Sequence, residues 1–210
     1  TEWNGRKVIG TSDGLFGLVD GMNDAGLAVS LTFGGRRVVG NGFGVPLILR
    51  YVLQTCKTAE AAAETLARIP THMSYNVTVV DKKRNVRTVL MAPDRPAQIT
   101  HAAVATNHQD KPEWEAHARA TATIERERFW LQRLTLHVEP EEKFISAFLR
   151  PPLYSMAFRY GFGTLYTAVY RPRKREMELR WPHDKWALSL NGFEDQSRSV
   201  FTPVPHDNTA

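Results

Sequence analysis

Apolar and polar positions alternate with two different periods along this chain. Period two dominates the first third. "EWNGRKVIG" (2–10), "LFGLVDG" (15–21) and "GLAVSLTFG" (26–34) are short apolar runs closed by glycine turns, which predicts three strands. Between the second and third, "DGMNDAG" (20–26) carries turn chemistry and is expected to join them. "GVP" (44–46) marks the change to helix. "PLILRYVLQTC" opens with a proline, where the missing N–H costs nothing. "TAEAAAETLARI" comes next, with Thr58 as N-cap, Glu60 in the first turn and Pro70 beyond the end. Strands return as "YNVTVVD" and "VRTVLMA" around the charged turn "KKRN", and "ITHAAVATNHQ" reads as one more strand ending at Asn107. A long helix over "ATATIERERFWLQRLTL" and another over "EPEEKFISAFL" lead to two last strands, "GTLYTAVYRP" and "EMELRWP".

This order of strands, two helices, strands, helices and strands is that of an α+β protein, with mainly antiparallel sheets and helices packed outside them. A doubly wound parallel fold would alternate strand and helix singly. The chain has 210 residues and 42% hydrophobic content, enough for one core and one domain, placed at 1–195. The polar, proline-containing tail, 196–210, is expected to be poorly ordered. No apolar run approaches the roughly 20 residues of a membrane helix, and no signal-peptide pattern opens the chain, so a cytoplasmic protein with no membrane partner is expected.

Charge and cysteine usage narrow the chemistry. The formal charge of +5 is dispersed, and the densest basic run, "RPRKRE" (171–176), reads as a solvated turn between two strands; a nucleic-acid partner is not expected. The single cysteine, Cys56, allows no internal disulfide, and the seven histidines form neither H-E-x-x-H nor a Cys/His array. No metal site is expected.

"GTSDG" (10–14) matches G-x-S-x-G, the nucleophile elbow of serine hydrolases. An elbow needs a strand in, a strained turn and a helix out. The segment after this turn is another strand, so Ser12 reads as an ordinary polar turn residue. Cys56, between two helices, reads as a small buried hydrophobe. "ATNHQ" (105–109) is more suggestive: the amide of Asn107 can aim at a developing oxyanion, or simply tie its own loop. His108 could act as a base, but no partner nucleophile is identifiable, and it reads as a loop histidine. In the long helix, Ile124, Arg128, Leu131 and Thr135 share one face. That turns Arg128 inward and Arg126 away. An inward arginine meets a carboxylate of protein or substrate, or lies on the core with its head in water.

Taken in order, "DGMNDAGLAVSLTF", "PLILRYVLQTCKTAEAAAETLARIP", "SYNVTVVD", "ATNH" and "GTLYTAVYRP" resemble the acyltransferase branch of the choloylglycine-hydrolase-like Ntn hydrolases. That branch includes acyl-coenzyme A:6-aminopenicillanic acid acyltransferase. The resemblance runs from Gly10 to Trp186 and implies an αββα sandwich, here lacking its first strands. It also implies cleavage or transfer of acyl groups at linear amide or acyl-CoA thioester bonds by an amino-terminal cysteine, whose own α-amine serves as base. By the same resemblance Asn107 contributes to the oxyanion hole, Thr32 and Phe33 line the acyl pocket, and Arg128 orders the site. No cofactor is implied; acyl-CoA enters only as a substrate.

The family's cysteine and its supporting "R-N-x-D" segment lie upstream of "DGMN" and are absent here. Cys56 falls in the helix pair, and Thr1, though a valid type of Ntn nucleophile, falls on a late strand. The chain alone is therefore expected to be catalytically silent, with an unpaired sheet edge that favours association into a homo-oligomer. Two alternatives stand beside this reading: a noncatalytic relative that keeps the acyl pocket, and a serine hydrolase using Ser12. Upstream sequence separates the first two, and labelling by a fluorophosphonate would favour the third. Asn107 is expected beside the largest apolar cleft.

Overall fold

A computed structural model describes residues 4–135 and 139–200. In chain order the elements are β1 (Val8–Asp13), β2 (Gly17–Asn23), β3 (Leu27–Phe33), α1 (Val45–Thr55), α2 (Ala59–Arg68), β4 (Tyr75–Asp81), β5 (Val86–Met91) and β6 (Gln98–Thr100). Then come α3 (Glu115–Ala120), α4 (Thr123–Thr135), α5 (Glu141–Ala147), β7 (Met156–Ala157), β8 (Phe162–Gly163), β9 (Thr167–Arg171), β10 (Glu176–Trp181) and β11 (Asp184–Ser189). The α+β class and antiparallel pairing expected from the sequence are present.

β1 to β6 form one antiparallel sheet in which every strand pairs with its successor. Side chains alternate between its faces. One face buries Leu27, Val29, Val77, Val79 and Val89 against Ile48, Leu49, Val52 and Leu53 of α1 and Ala62, Ala63 and Leu66 of α2. Thr58 caps α2 as predicted, accepting the Ala61 N–H at 3.3 Å. The other face carries a cross-strand row of register partners: Thr11, Asp20, Ser30, Thr78, Thr88 and Thr100, one from each strand. Thr11 donates to Asp20 at 2.9 Å, and the Thr78 and Thr88 hydroxyls lie 2.8 Å apart.

A second sheet, in the order β11-β10-β9, packs Met177, Tyr170, Leu179 and Leu188 on Ile9, Met22 and Ala28. Asp20 joins the two sheets: its carboxylate accepts from Tyr166 at 2.9 Å and also from Tyr170. Burial first, and then the Asp20 charge, raise both phenols above their ordinary value. On the outer face of this sheet Arg171 pairs with Glu141 and Glu178, and Arg180 with Glu142 and Glu178. Because Glu141 and Glu142 belong to α5, that helix is the fourth layer, after α1/α2 and the two sheets.

Several expectations shift. "DGMN" completes β2 instead of opening a turn, because Asp20 and Met22 face the second sheet and only 24–26 turn. Asn23, fully buried, donates to the Leu53 and Cys56 carbonyls at 2.8 Å each and accepts from the Ala25 and Leu27 N–H groups at 3.1 Å each. It ties the hairpin to the C-terminus of α1. The strand expected to reach Asn107 stops at Thr100; beyond it the chain crosses the sheet face, where Thr88 donates to the Ala102 carbonyl at 2.9 Å. No described helix is long and apolar enough to cross a membrane. Of the tail, 196–200 has no regular secondary structure; 201–210 and Thr1 lie outside the described residues.

Candidate active site

Residues 105–109 lie across the ends of β3 and β4, and side chains from those strands fasten them. Thr32 and Asn76 are cross-strand partners. Thr32 donates to the Thr106 carbonyl at 3.1 Å, and the Asn76 amide donates to Thr106 and His108 carbonyls at 2.9 and 2.7 Å. The Gln109 amide reaches the Met91 carbonyl at 3.0 Å. A buried loop must have its carbonyls satisfied, and here the sheet supplies the donors. The chain leaving β3 passes against the same loop. Gly35 has φ +68, and a Cβ there would stand 2.3 Å from the Asn107 carbonyl oxygen, so only glycine fits.

Beneath the loop runs a buried polar chain. Thr123 donates to Thr106 at 2.9 Å, Thr106 lies 3.2 Å from His108 Nδ1, and His108 Nε2 lies 3.3 Å from Glu127. The directions agree if His108 carries its proton on Nε2, an assignment inferred from the network. Hydroxyl, imidazole and carboxylate have the composition of a triad, but Thr123 is fully buried and Thr106 and His108 nearly so. No substrate carbonyl reaches those hydroxyls. The chain is a strut that binds α4 to the loop.

Asn107 meets Arg126 of α4. Arg126 Nη2 donates to Asn107 Oδ1 at 2.5 Å, and its Nε donates to the Thr121 carbonyl at 2.8 Å. Burial lowers the guanidinium's pKa, yet an arginine keeps its charge. A guanidinium has no acceptor, so it fixes the oxygen of the amide on its own side and turns the NH₂ group away. The two arginines of α4 are thus the reverse of what its apolar stripe predicts. Arg128 is exposed and Arg126 faces inward, because the phase of α4 is set by its two buried residues, Thr123 and Trp130. The stripe of Ile124, Arg128 and Leu131 has more aliphatic residues, but Leu131 is 51% exposed. A single tryptophan outweighs it, and that was the available signal.

Phe33, at the end of β3, packs edge-on to Tyr75, Trp114 and His117 at 6.2, 6.5 and 5.2 Å between ring centroids. Burial, and then the nearby Arg126 charge, hold His117 below its ordinary pKa. Thr32 is thus held against the loop beside Asn107, Phe33 packs one position further on against Trp114 and His117, and Arg128 is exposed. The remaining candidates lie elsewhere. Ser12 is exposed near the end of β1, which leads by turn residues 14–16 into another strand. Cys56 is buried in the core between sheet and helices, so the sheet separates it from Asn107. A cavity of about 900 Å³ runs along β1 past Ser12 and Phe16 to Leu190, and a more apolar one of about 630 Å³ lies over α1; neither is lined by Asn107, which was expected beside such a cleft. Among the described residues no cluster of His, Cys, Asp or Glu could hold a metal ion.

The sequence model of the acyl-coenzyme A:6-aminopenicillanic acid acyl-transferase family matches residues 1–186. No curated protein matches the chain. Among solved structures, a mutant of the conjugated bile acid hydrolase from Clostridium perfringens aligns with TM-score 0.55 at 12% identity, over 92% of this chain and 81% of that one. The Caenorhabditis elegans ortholog of N-acylethanolamine-hydrolyzing acid amidase aligns with TM-score 0.50 at 14% identity, over 87% of each chain. Penicillin V acylase from Agrobacterium tumefaciens aligns at 16% identity with TM-score 0.47, over 84% of this chain and 67% of that one. The likeness to the first two is one of fold: the αββα sandwich of the Ntn hydrolases.

Proposed function

The chain belongs to the acyl-coenzyme A:6-aminopenicillanic acid acyl-transferase family, and from that premise we propose that it is the larger part of an Ntn-type amide hydrolase or acyltransferase. Its substrates are linear acyl amides or acyl-CoA thioesters. The nucleophile is a cysteine on a segment upstream of this sequence. Asn107 donates its amide N–H to the oxyanion of the tetrahedral intermediate, Arg126 positions that amide, and Phe33 and Thr32 border the acyl group. The carrying observation is the Arg126–Asn107 contact, since it takes up the amide oxygen and leaves the NH₂ group as the end that the arginine does not hold. Two further features support the reading. The only thiol of the chain, Cys56, is buried on the far side of the sheet. Ser30, in the polar row beside Thr32, is exposed.

Covalent acyl transfer needs a nucleophile next to a base, and neither the His108 network nor Ser12 supplies one. The test is to incubate this chain, and a form extended by its upstream coding sequence, with acyl-amide and acyl-thioester substrates and to weigh the intact proteins. An acyl adduct and turnover confined to the extended form are expected. In that form Asn107→Ala is expected to reduce kcat by roughly 10²–10³, as for loss of one oxyanion donor. An adduct on Thr1 or Cys56 of the short chain overturns the proposal. Acyl ligand binding without an adduct in either form would make the protein a binding module instead.

A further inference from the structure

α1 buries one side against the sheet and leaves Leu47 and Tyr51 exposed on the other, by 47% and 52%. With Gln54 they follow i, i+4, i+7 spacing along a single stripe. The stripe floors a cavity of about 630 Å³, walled by Phe43, Ile48 and Ile69. Gln54 at its end is only 5% exposed. Its Oε1 accepts the Asn4 N–H at 3.2 Å, but its Nε2 is buried with no hydrogen-bond partner among the described residues. Leaving an amide donor buried and unpaired costs about 1–3 kcal/mol, and the other groups around it do not relieve it. The Thr55 hydroxyl is occupied by the Tyr51 carbonyl at 2.8 Å, and Arg50, the charged side chain on this wall, has an interaction of its own. A water would need two to four polar partners, and the walls are chiefly hydrocarbon.

We propose that this cavity is a second ligand site, on the helical side of the sheet away from Asn107. It takes an uncharged apolar molecule that carries one carbonyl oxygen, as an amide or ester. The hydrocarbon lies along Leu47, Tyr51 and Phe43, and the carbonyl accepts from Gln54 Nε2. Apolar walls with one well-placed polar group are the usual make-up of a small-molecule site. The inference does not depend on the amide-hydrolase reading, and its failure would leave that reading untouched.

The probe is N-methyloctanamide, titrated into the ¹⁵N-labelled chain while the Gln54 side-chain amide is followed by NMR. Saturable binding is expected, with the Gln54 NH₂ signals among those that move most. Gln54→Met, which keeps the length and loses the donor, is expected to weaken binding roughly five- to tenfold, the loss of one net hydrogen bond. Leu47→Trp fills the groove and is expected to abolish binding; circular dichroism checks that both variants fold. Equal affinity in Gln54→Met, or binding that leaves the Gln54 amide unmoved, overturns the proposal. A dimer in sedimentation that Leu47→Arg dissociates would also overturn it, by making this face an interface between copies.

Discussion

Replacing Asp20 by alanine removes the acceptor shared by Thr11, Tyr166 and Tyr170 and, with it, the polar tie between the two sheets. Hydrogen bonds to a charged acceptor contribute about 1.5–3 kcal/mol each, so the two phenols alone set an upper bound near 6 kcal/mol. One effect reduces it: removing the carboxylate also relieves its own desolvation. The expected loss is about 2–4 kcal/mol, visible as a fall in Tm of roughly 5–15 °C for a chain of this size. Urea unfolding of Asp20→Ala, Tyr170→Phe and the double variant measures it, at unchanged m-value. Tyr170→Phe alone is expected to cost about 1.5–2 kcal/mol. In the double variant the costs should fall short of their sum by about 1 kcal/mol or more, because both remove one interaction. Costs that add within about 0.5 kcal/mol would mean that the clasp does not hold the sheets and that the apolar contacts of Met177 and Met22 suffice.

The raised phenols give a pH prediction. Tyr166 and Tyr170 have folded values above the ordinary 10.0, so below about pH 9 both states keep the proton and the stabilisation is complete. As pH rises from there toward the folded values, the unfolded chain ionises first and stability falls. The urea midpoint should decline between about pH 9.5 and 11, more shallowly in Asp20→Ala; an identical slope in both would refute the assignment. In an active extended form, Arg126→Ala is expected to lower kcat by roughly 10²-fold through the freed Asn107 amide, whereas Arg128→Ala stays near wild type. Similar losses from both would return the positioning role to the helix as a whole. Thr58→Ala is expected to cost about 1 kcal/mol by urea unfolding, the usual loss of an N-cap, and Ser12→Ala less than about 0.5 kcal/mol.

Local pattern carries the frame of this fold and misses the tertiary ties. The helix pair is legible because "PLILRYVLQTC" and "TAEAAAETLARI" have their proline, cap and apolar spacing in one place. β4 and β5 are legible because a four-residue charged turn separates two alternating runs. β11 escapes such a reading: "DKWALS" is half polar, and only its pairing with β10 makes it a strand. "AAVATNHQ" looks like a strand by its apolar run, but Ala102 and Ala103 are exposed, and the segment is held over a sheet face by side-chain donors, which no periodicity encodes. The site is half legible. Asn107 and Thr32 come from family resemblance, while Asn76, Thr123 and Arg126 act across 17 to 32 positions of sequence. The inverted phase of α4 shows the limit of counting apolar positions when one large aromatic decides which face is buried.

The clasp at Asp20 also orders events in time. Within the first sheet each strand meets its neighbour in sequence, and Thr11 reaches Asp20 across a separation of 9 residues, whereas Tyr170 reaches it across 150. The entropy of closing the longer loop is greater by roughly 2.5 kcal/mol, to be recovered only once the second sheet has docked. Residues 8–91, with both helices, can therefore collapse first as one cooperative unit, and a chain emerging from the ribosome has that unit in hand before β9 is made. The carboxylate that waits on β2 is then a template: the late-made strand finds its place by delivering two phenols to a charge already fixed. Native-state hydrogen exchange should divide along that seam, with β2 to β5 opening last and β9 to β11 leaving as a group.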